Sequence, residues 1–186
     1  MEYCSSCGAK VSKRIPEGDN RQRYVCDSCL TIHYQNPRIV VGTIPTVGDQ
    51  VLLCRRAIEP RRGFWTVPAG YMENGETTLQ GAERETWEEA RARVANPVLY
   101  RLFDLPHISQ VYMFYRGELA DHNYGPGPES LEVKLFSEQD LPWDELAFAV
   151  VKESLQEYFA DLKAGGDYTV RISAVDPMWQ RQRSQP

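Results

Sequence analysis

Three carboxylates within one turn of a helix are the first residues in this chain that could do chemistry. The stretch 70–92 reads GYMENGETTLQGAERETWEEARA. Asn74-Gly75 reads as a turn, and Thr77 stands three residues ahead of Gln80, a capping-box pairing that starts a helix at about Thr78. On such a helix Glu85 and Glu89 share one face, with Glu88 on its flank. Like charges at that spacing repel by roughly 0.2–0.5 kcal/mol per pair. A hard divalent cation reverses the sign, because carboxylate oxygens suit Mg²⁺ and Mn²⁺, ions that commonly bridge carboxylates and substrate phosphates. Taken alone, three such glutamates read more simply as a solvated acidic face. The spacing of the whole stretch decides between the two.

The second chemical cluster is thiol. Cys4-x2-Cys7 and Cys26-x2-Cys29 are separated by 18 residues. Two such knuckles read as a four-thiolate zinc ribbon over residues 1–36, a segment too short to fold on an apolar core of its own. Four protein ligands leave no open position, so the zinc reads as structural. Two disulfides or a redox pair are the rival readings. His33 is close enough to substitute as a ligand but reads as a linker residue ordering the junction. A ribbon can also serve nucleic acid or protein, so it does not decide function.

The spacing Gly70-x5-Glu76-x7-Arg84-Glu85, followed by Glu88-Glu89, resembles the Nudix hydrolase signature G-x5-E-x7-R-E-U-x-E-E-x-G-U, with U apolar. Gly63–Gly70 (GFWTVPAG) is similar to the strand and turn that lead into that box. The departures are Thr86 and Ala92 at apolar positions and Arg91 in place of the last glycine. Without glycine there, the helix is expected to run on toward Asn96, before Pro97 stops it. The ribbon and the linker Ile32–Arg38 resemble a subset of this family that includes NADH-pyrophosphatase-like enzymes.

The resemblance implies hydrolysis of a nucleoside diphosphate linked to another moiety, with release of a nucleoside monophosphate. It implies Mg²⁺ or Mn²⁺ held by Glu85, Glu88 and Glu89, with the Ala69 carbonyl as a further ligand, and catalytic roles for the same glutamates. It also implies a downstream carboxylate as metal ligand or general base, here Glu129 or Glu132, with Glu129 favoured. Glu76 and Arg84 are expected to pair and brace the loop against the helix. NADH pyrophosphatases carry an SQPWPFP-like stretch, of which Ser109–Phe114 (SQVYMF) is only an echo, so ADP-ribose and FAD stand ahead of NADH as substrates. Two alternatives of other classes are a non-catalytic nucleotide-sensing regulator and an RNA-associated zinc-ribbon protein. The resemblance implies a homodimer as the assembly to test.

These residues need elements to hold them. Ile39–Ile44 and Gln50–Cys54 flank Gly48-Asp49 and read as a hairpin. Arg55, Arg56, Arg61 and Arg62 follow it. Arg55 and Arg56 are the candidates for substrate phosphates, since guanidinium forks match phosphate oxygens. Cys54 reads as a buried small hydrophobe. Val98–Asp104, Gln110–Leu119 and Glu129–Phe136 read as strands, and Asp121–Pro128 as a loop. Glu145–Ala164 repeats apolar residues at helical spacing up to Gly165-Gly166. Phe64, Trp65, Tyr71, Tyr112 and Phe114 could stack a base. The expected fold is α/β: a Nudix-type α/β/α sandwich on a mixed sheet, preceded by the small Cys4 ribbon. The expected divisions are 1–36, 37–166 and a C-terminal extension 167–186, strand-like over Tyr168–Val175 and anchored by Trp179.

Net charge is −5 and pI about 5.3, which argues against a general nucleic-acid binder. No apolar run approaches the ~18 residues of a membrane helix. The start MEYCSSCG lacks a signal-peptide plan, so a cytoplasmic protein with reduced cysteines is expected.

Overall fold

Residues 1–175 are described by the computed structural model, which divides after Pro37 into two units. Trp179 lies outside the described residues. In the first unit, β1 (Val11–Arg14), β2 (Arg23–Cys26) and β3 (Ile32–His33) form an antiparallel sheet in that order. Its buried side chains include Cys4, Val25 and Cys26, an interior in which sulfur replaces most of an apolar core. The Gly8 N–H donates to the Cys4 carbonyl at 2.9 Å and closes the first knuckle.

The second unit is one mixed sheet with a helix on each face. Its elements are β4 (Arg38–Val47), β5 (Gln50–Arg56), β6 (Trp65–Thr66), β7 (Ala69–Tyr71), α1 (Thr78–Ala90), β8 (Val94–Leu105), β9 (Gln110–Leu119), β10 (Ser130–Phe136), α2 (Ala149–Lys163) and β11 (Arg171–Ala174). The sheet runs β10-β5-β4-β9-β8-β11, with β6 added to β5 and β7 to β4. The β4–β9 and β8–β11 pairs are parallel and the others antiparallel. The β4–β5 hairpin turns on Gly48-Asp49, as expected, with Val47 opposite Gln50.

Strand alternation assigns the layers. On β5, Val51 and Leu53 join the α2 side with Val150, Leu155 and Phe159, while Leu52 and Cys54 pack with Ala90. On β4, Ile44 belongs to the α2 side and Val41 to the α1 side with Ala82. The sheet is therefore buried on both faces, which gives the expected α/β/α sandwich.

Three boundaries differ from expectation. Helix α1 ends at Ala90 rather than continuing toward Asn96. Arg91 takes the left-handed cap conformation at φ +50° that the missing glycine would have taken, with its N–H on the Trp87 carbonyl at 3.0 Å. The Arg91 guanidinium lies 5.7 Å from the centre of the Trp87 ring, a stacking contact at the cap. Val94 opens β8 opposite Leu119. Pro97 is accommodated there because the ladder skips between Ala95 and Val98, so no ladder hydrogen bond is lost.

Helix α2 starts at Ala149, not Glu145. The preceding residues are held out of the helix because Glu145 and Ala147 exchange backbone hydrogen bonds with Trp65 at 2.9 and 2.8 Å. The strand-like reading of Tyr168–Val175 contracts to β11, which Arg171 ties to Asp161 of α2 at 2.5 Å. Among the described residues, no helix is long and apolar enough to cross a membrane.

Candidate active site

Helix α1 starts where its capping box requires. The Thr77 hydroxyl accepts from the Gln80 N–H at 3.2 Å, and the Gln80 side chain returns an acceptor to the Thr77 N–H at 2.8 Å. That start fixes which residues one helical face presents. Arg84, Glu85, Glu88 and Glu89 line a cleft of about 890 Å³ together with Ala69–Tyr71, Arg56 and Glu129. A second wall carries Ile108, Gln110, Tyr112 and Phe148.

Close approach of backbone to carboxylate explains Gly70. A Cβ at this position would stand 2.3 Å from the Glu85 carboxyl carbon, so a side chain there would displace the Glu85 carboxylate from its place. The neighbouring Ala69 N–H donates to Glu89 Oε2 at 3.1 Å. Glu89 is 7% exposed, and burial pushes its carboxyl up to about 8. The Ala69 N–H acts in the opposite direction, while Glu85 and Glu129 add to the rise. Burial also raises Glu85, against the pull of Arg84.

Arg84 organises the remaining charges. Its Nε and Nη2 donate to both oxygens of Glu76 at 3.0 and 2.9 Å, and Nη2 also reaches the Tyr71 carbonyl at 3.1 Å. This is the expected brace between loop and helix, and it holds the Glu76 carboxyl down to about 2. Nη1 lies between Glu85 Oε1 (2.8 Å) and Glu88 Oε2 (3.1 Å). A guanidinium thus stands where like charges need a cation, a contact that sequence spacing did not reveal.

The cleft collects Glu85, Glu88, Glu89, Glu129 and Arg56, but not Arg55 or Glu132. Successive strand residues point to opposite faces. Arg56 turns toward the cleft, whereas Arg55 donates to the Gly63 carbonyl at 2.9 Å and faces Glu132 across the β5–β10 pair, 3.9 Å away. Of the five aromatics, Tyr71, Tyr112 and Phe114 reach the cleft. Trp65 is buried edge-on to Phe136, and Phe64 lies against Arg61. Phe148, which packs under the Arg56 guanidinium at 5.2 Å, had no sequence signal because it precedes the helix and breaks its apolar period. Cys54 is buried, and burial raises its thiol far above the ordinary range, as a small hydrophobe requires.

Thr86 explains one departure from the family signature. Its hydroxyl donates to the Ala82 carbonyl at 2.7 Å and lies 2.6 Å from the Thr43 hydroxyl, so both polar groups are satisfied inside the α1 layer.

The donor sets fit two kinds of metal. All-oxygen donors with high negative charge suit a hard divalent cation in the cleft. Among the described residues, the four cysteines are the group whose ligand atoms converge within 4.8 Å, and the cleft carboxylates are more widely spread. Cys4–Cys29 and Cys7–Cys26 sulfurs are 3.7 and 3.4 Å apart, close to the roughly 3.8 Å separation of sulfurs on tetrahedral zinc. His33 is not a linker residue. On β3 it pairs with Tyr24 of β2, and its Nε2 lies 3.2 Å from Cys4 Sγ, where an N–H would support a metal-bound thiolate.

The family model described as "Nudix N-terminal" matches residues 2–35, and that of the NUDIX domain matches residues 36–158. A crystal structure of a NUDIX hydrolase from Nitrosomonas europaea superimposes with a TM-score of 0.90 at 52% identity, covering 94% of this chain and 99% of that one. The NAD-capped RNA hydrolase NudC of Stutzerimonas stutzeri is 29% identical over 167 residues, 86% of this chain and 55% of the relative. The human mitochondrial NAD(P)H pyrophosphatase NUDT13 is 28% identical over 184 residues, 96% of this chain and 46% of the relative. The chain thus spans about half the length of these curated relatives.

Proposed function

The chain belongs to the NUDIX domain family, and from that premise we propose that it is a divalent-metal-dependent pyrophosphohydrolase. It cleaves the phosphoanhydride bond of a nucleoside diphosphate linked to a second moiety and releases a nucleoside monophosphate. The observation that carries this reading is the meeting of Glu85, Glu88, Glu89 and Glu129 with Arg56 on one cleft.

The residue roles follow from charge and position. Glu85, Glu88 and Glu89 would hold Mg²⁺ or Mn²⁺, and the family resemblance implies the carbonyl of Ala69, a lining residue of the cleft, as a further ligand. Bound there, the ion neutralises pyrophosphate oxygens and makes water a better nucleophile. Glu129 faces this group from another element and accepts the proton of the attacking water. Arg56 binds phosphate oxygens, and its packing on Phe148 limits its freedom, which lowers the cost of ordering it on binding. Tyr112 and Phe148, both lining the cleft, are the aromatic rings against which a base or flavin would pack. The four ribbon cysteines, whose ligand atoms all lie within 4.8 Å of one another, would hold a structural Zn²⁺.

The substrate class is a dinucleotide-like pyrophosphate. Ser109–Phe114 lacks the prolines and tryptophan of the NADH-type stretch, which favours ADP-ribose and FAD. That same segment forms part of the cleft wall through Gln110, Tyr112 and Phe114, and two relatives carry NAD in their names, so NADH and NAD rank beside the first two. NAD-capped RNA joins them, against the expectation drawn from acidic charge. The test is a panel of these five substrates with and without Mg²⁺ or Mn²⁺, following nucleoside monophosphate. Metal-dependent release from at least one is expected. Ligand binding without any turnover would favour a sensor instead.

A further inference from the structure

Helix α1 carries its carboxylates close to its negative end. Glu88 and Glu89 stand in its last turn, no basic residue accompanies them there, and Arg91 replaces the usual glycine cap. Free carbonyls at that end would add partial negative charge to the carboxylates. They are instead capped from outside the helix. The Gly125 N–H donates to the Ala90 carbonyl at 2.8 Å and the Gly127 N–H to the Glu89 carbonyl at 3.0 Å. Both donors belong to the segment Gly125-Pro126-Gly127-Pro128, where each proline fixes its own φ and restricts the residue before it to extended backbone. The amides are therefore presented by a stiff segment.

Gly127 also faces the other way. Its carbonyl accepts from the Ser130 N–H at 3.1 Å, closing the turn that holds Glu129, and the Glu129 carbonyl accepts from Ala57 at 2.8 Å. One glycine thus bridges the backbone of Glu89 to the turn of Glu129. The approach leaves no room for a side chain, since a Cβ on Gly127 would stand 1.6 Å from the Glu88 carbonyl oxygen. A Cβ on Gly125 would meet nothing within 4 Å.

We propose that Gly127 is a positioning residue that sets Glu129 against the carboxylates of α1, through a backbone clamp on the helix C-terminus. This rests on the reading of the cleft as a hydrolytic centre. Gly127→Ala must move the loop, the helix end, or both, and a misplacement near 1 Å at reacting groups costs on the order of 100-fold in rate.

The test compares Gly127→Ala with Gly125→Ala, which keeps the same loop composition without the clash. Readouts are Mn²⁺ affinity, kcat and KM for the best panel substrate, and solvent exchange of the amides at 125 and 127. Gly127→Ala is expected to fold, to lose about 10–100-fold in Mn²⁺ affinity and kcat with KM nearly unchanged, and to lose amide protection. Gly125→Ala is expected to stay within about twofold of the wild type, as substitutions without a steric or polar conflict do. In a Glu129→Gln background the kcat penalty of Gly127→Ala is expected to shrink, because the two changes act on one unit. Equal behaviour of the two alanine variants, or full additivity with Glu129→Gln, would overturn the proposal. If Gly127→Ala does not fold, Pro126→Gly loosens the clamp without adding atoms, and unchanged kcat and Mn²⁺ affinity there would overturn it too. A wild type that neither binds Mn²⁺ nor turns over the panel refutes the hydrolytic reading, while amide exchange still decides the clamp.

Discussion

The backbone N–H of Ala69 donates to Oε2 of Glu89 at 3.1 Å, so the strand before the helix holds the most buried carboxylate of the cleft by its oxygen. That contact orients Glu89 but does not offset its burial, and its carboxyl is raised to about 8 from the ordinary 4.5. Between those two values the metal-free folded protein holds a proton that the unfolded chain has lost. Its stability therefore falls as pH rises through this window. A metal ion needs the carboxylate, so its binding releases that proton and strengthens toward pH 8. Calorimetric titration with Mn²⁺ is expected to give tighter binding at pH 8 than at pH 6, by up to about tenfold per unit, with proton release at the lower pH. Glu89→Gln is expected to abolish most of this pH dependence.

The two neighbouring arginines are expected to separate cleanly. Arg56→Ala removes a cleft cation and should raise KM about 10-fold or more, as loss of a charge-assisted contact of roughly 1.5–3 kcal/mol requires. Arg55→Ala removes an exposed pair with Glu132 and should change kcat/KM less than about twofold. Steady-state kinetics on the two variants checks the assignment. Equal losses would mean that strand parity has been misread.

Thr86 and Thr43 supply a stability prediction. Thr86→Val leaves the buried Thr43 hydroxyl without its partner and should cost about 1–3 kcal/mol in urea unfolding. The double variant Thr43→Val/Thr86→Val replaces both hydroxyls by methyl groups of similar shape and should recover most of that loss.

Much of this was legible in the sequence, for identifiable reasons. The capping box placed the helix start, and the spacing of Glu85, Glu88 and Glu89 placed them on one face, because both are local properties of a helix. The Gly48-Asp49 hairpin and the Cys knuckles are local in the same sense. What spacing could not give is pairing between distant segments. Arg55 and Arg56 looked equivalent until β5 paired with β10 and their opposite faces acquired meaning. Arg91 looked unable to end a helix because its partner Trp87 and the caps from Gly125 and Gly127 come from geometry. Glu145–Ala147 looked helical by period but is held out of the helix by backbone bonds to Trp65, a residue some 80 positions earlier. Glu129 and Glu132 differ by three positions, but a turn just before β10 places Glu129 at the cleft, whereas the β5–β10 register sets Glu132 opposite Arg55.

The ribbon gives a prediction independent of catalysis. The four thiols are expected to bind one Zn²⁺, and chelation is expected to unfold residues 1–37, since sulfur forms most of the interior there. His33→Ala removes the group 3.2 Å from Cys4 and should weaken zinc about 10–100-fold in a chelator competition, without unfolding the second unit.

The most direct test of the central claim is nucleoside monophosphate release from ADP-ribose, FAD and NADH by the wild type and Glu89→Gln, each with Mg²⁺ and with chelator. The wild type is expected to hydrolyse at least one substrate only when metal is present, and Glu89→Gln to lose about 100-fold or more in kcat with its fold intact. Turnover that survives Glu89→Gln or chelation would contradict a carboxylate-held metal as the centre of the reaction.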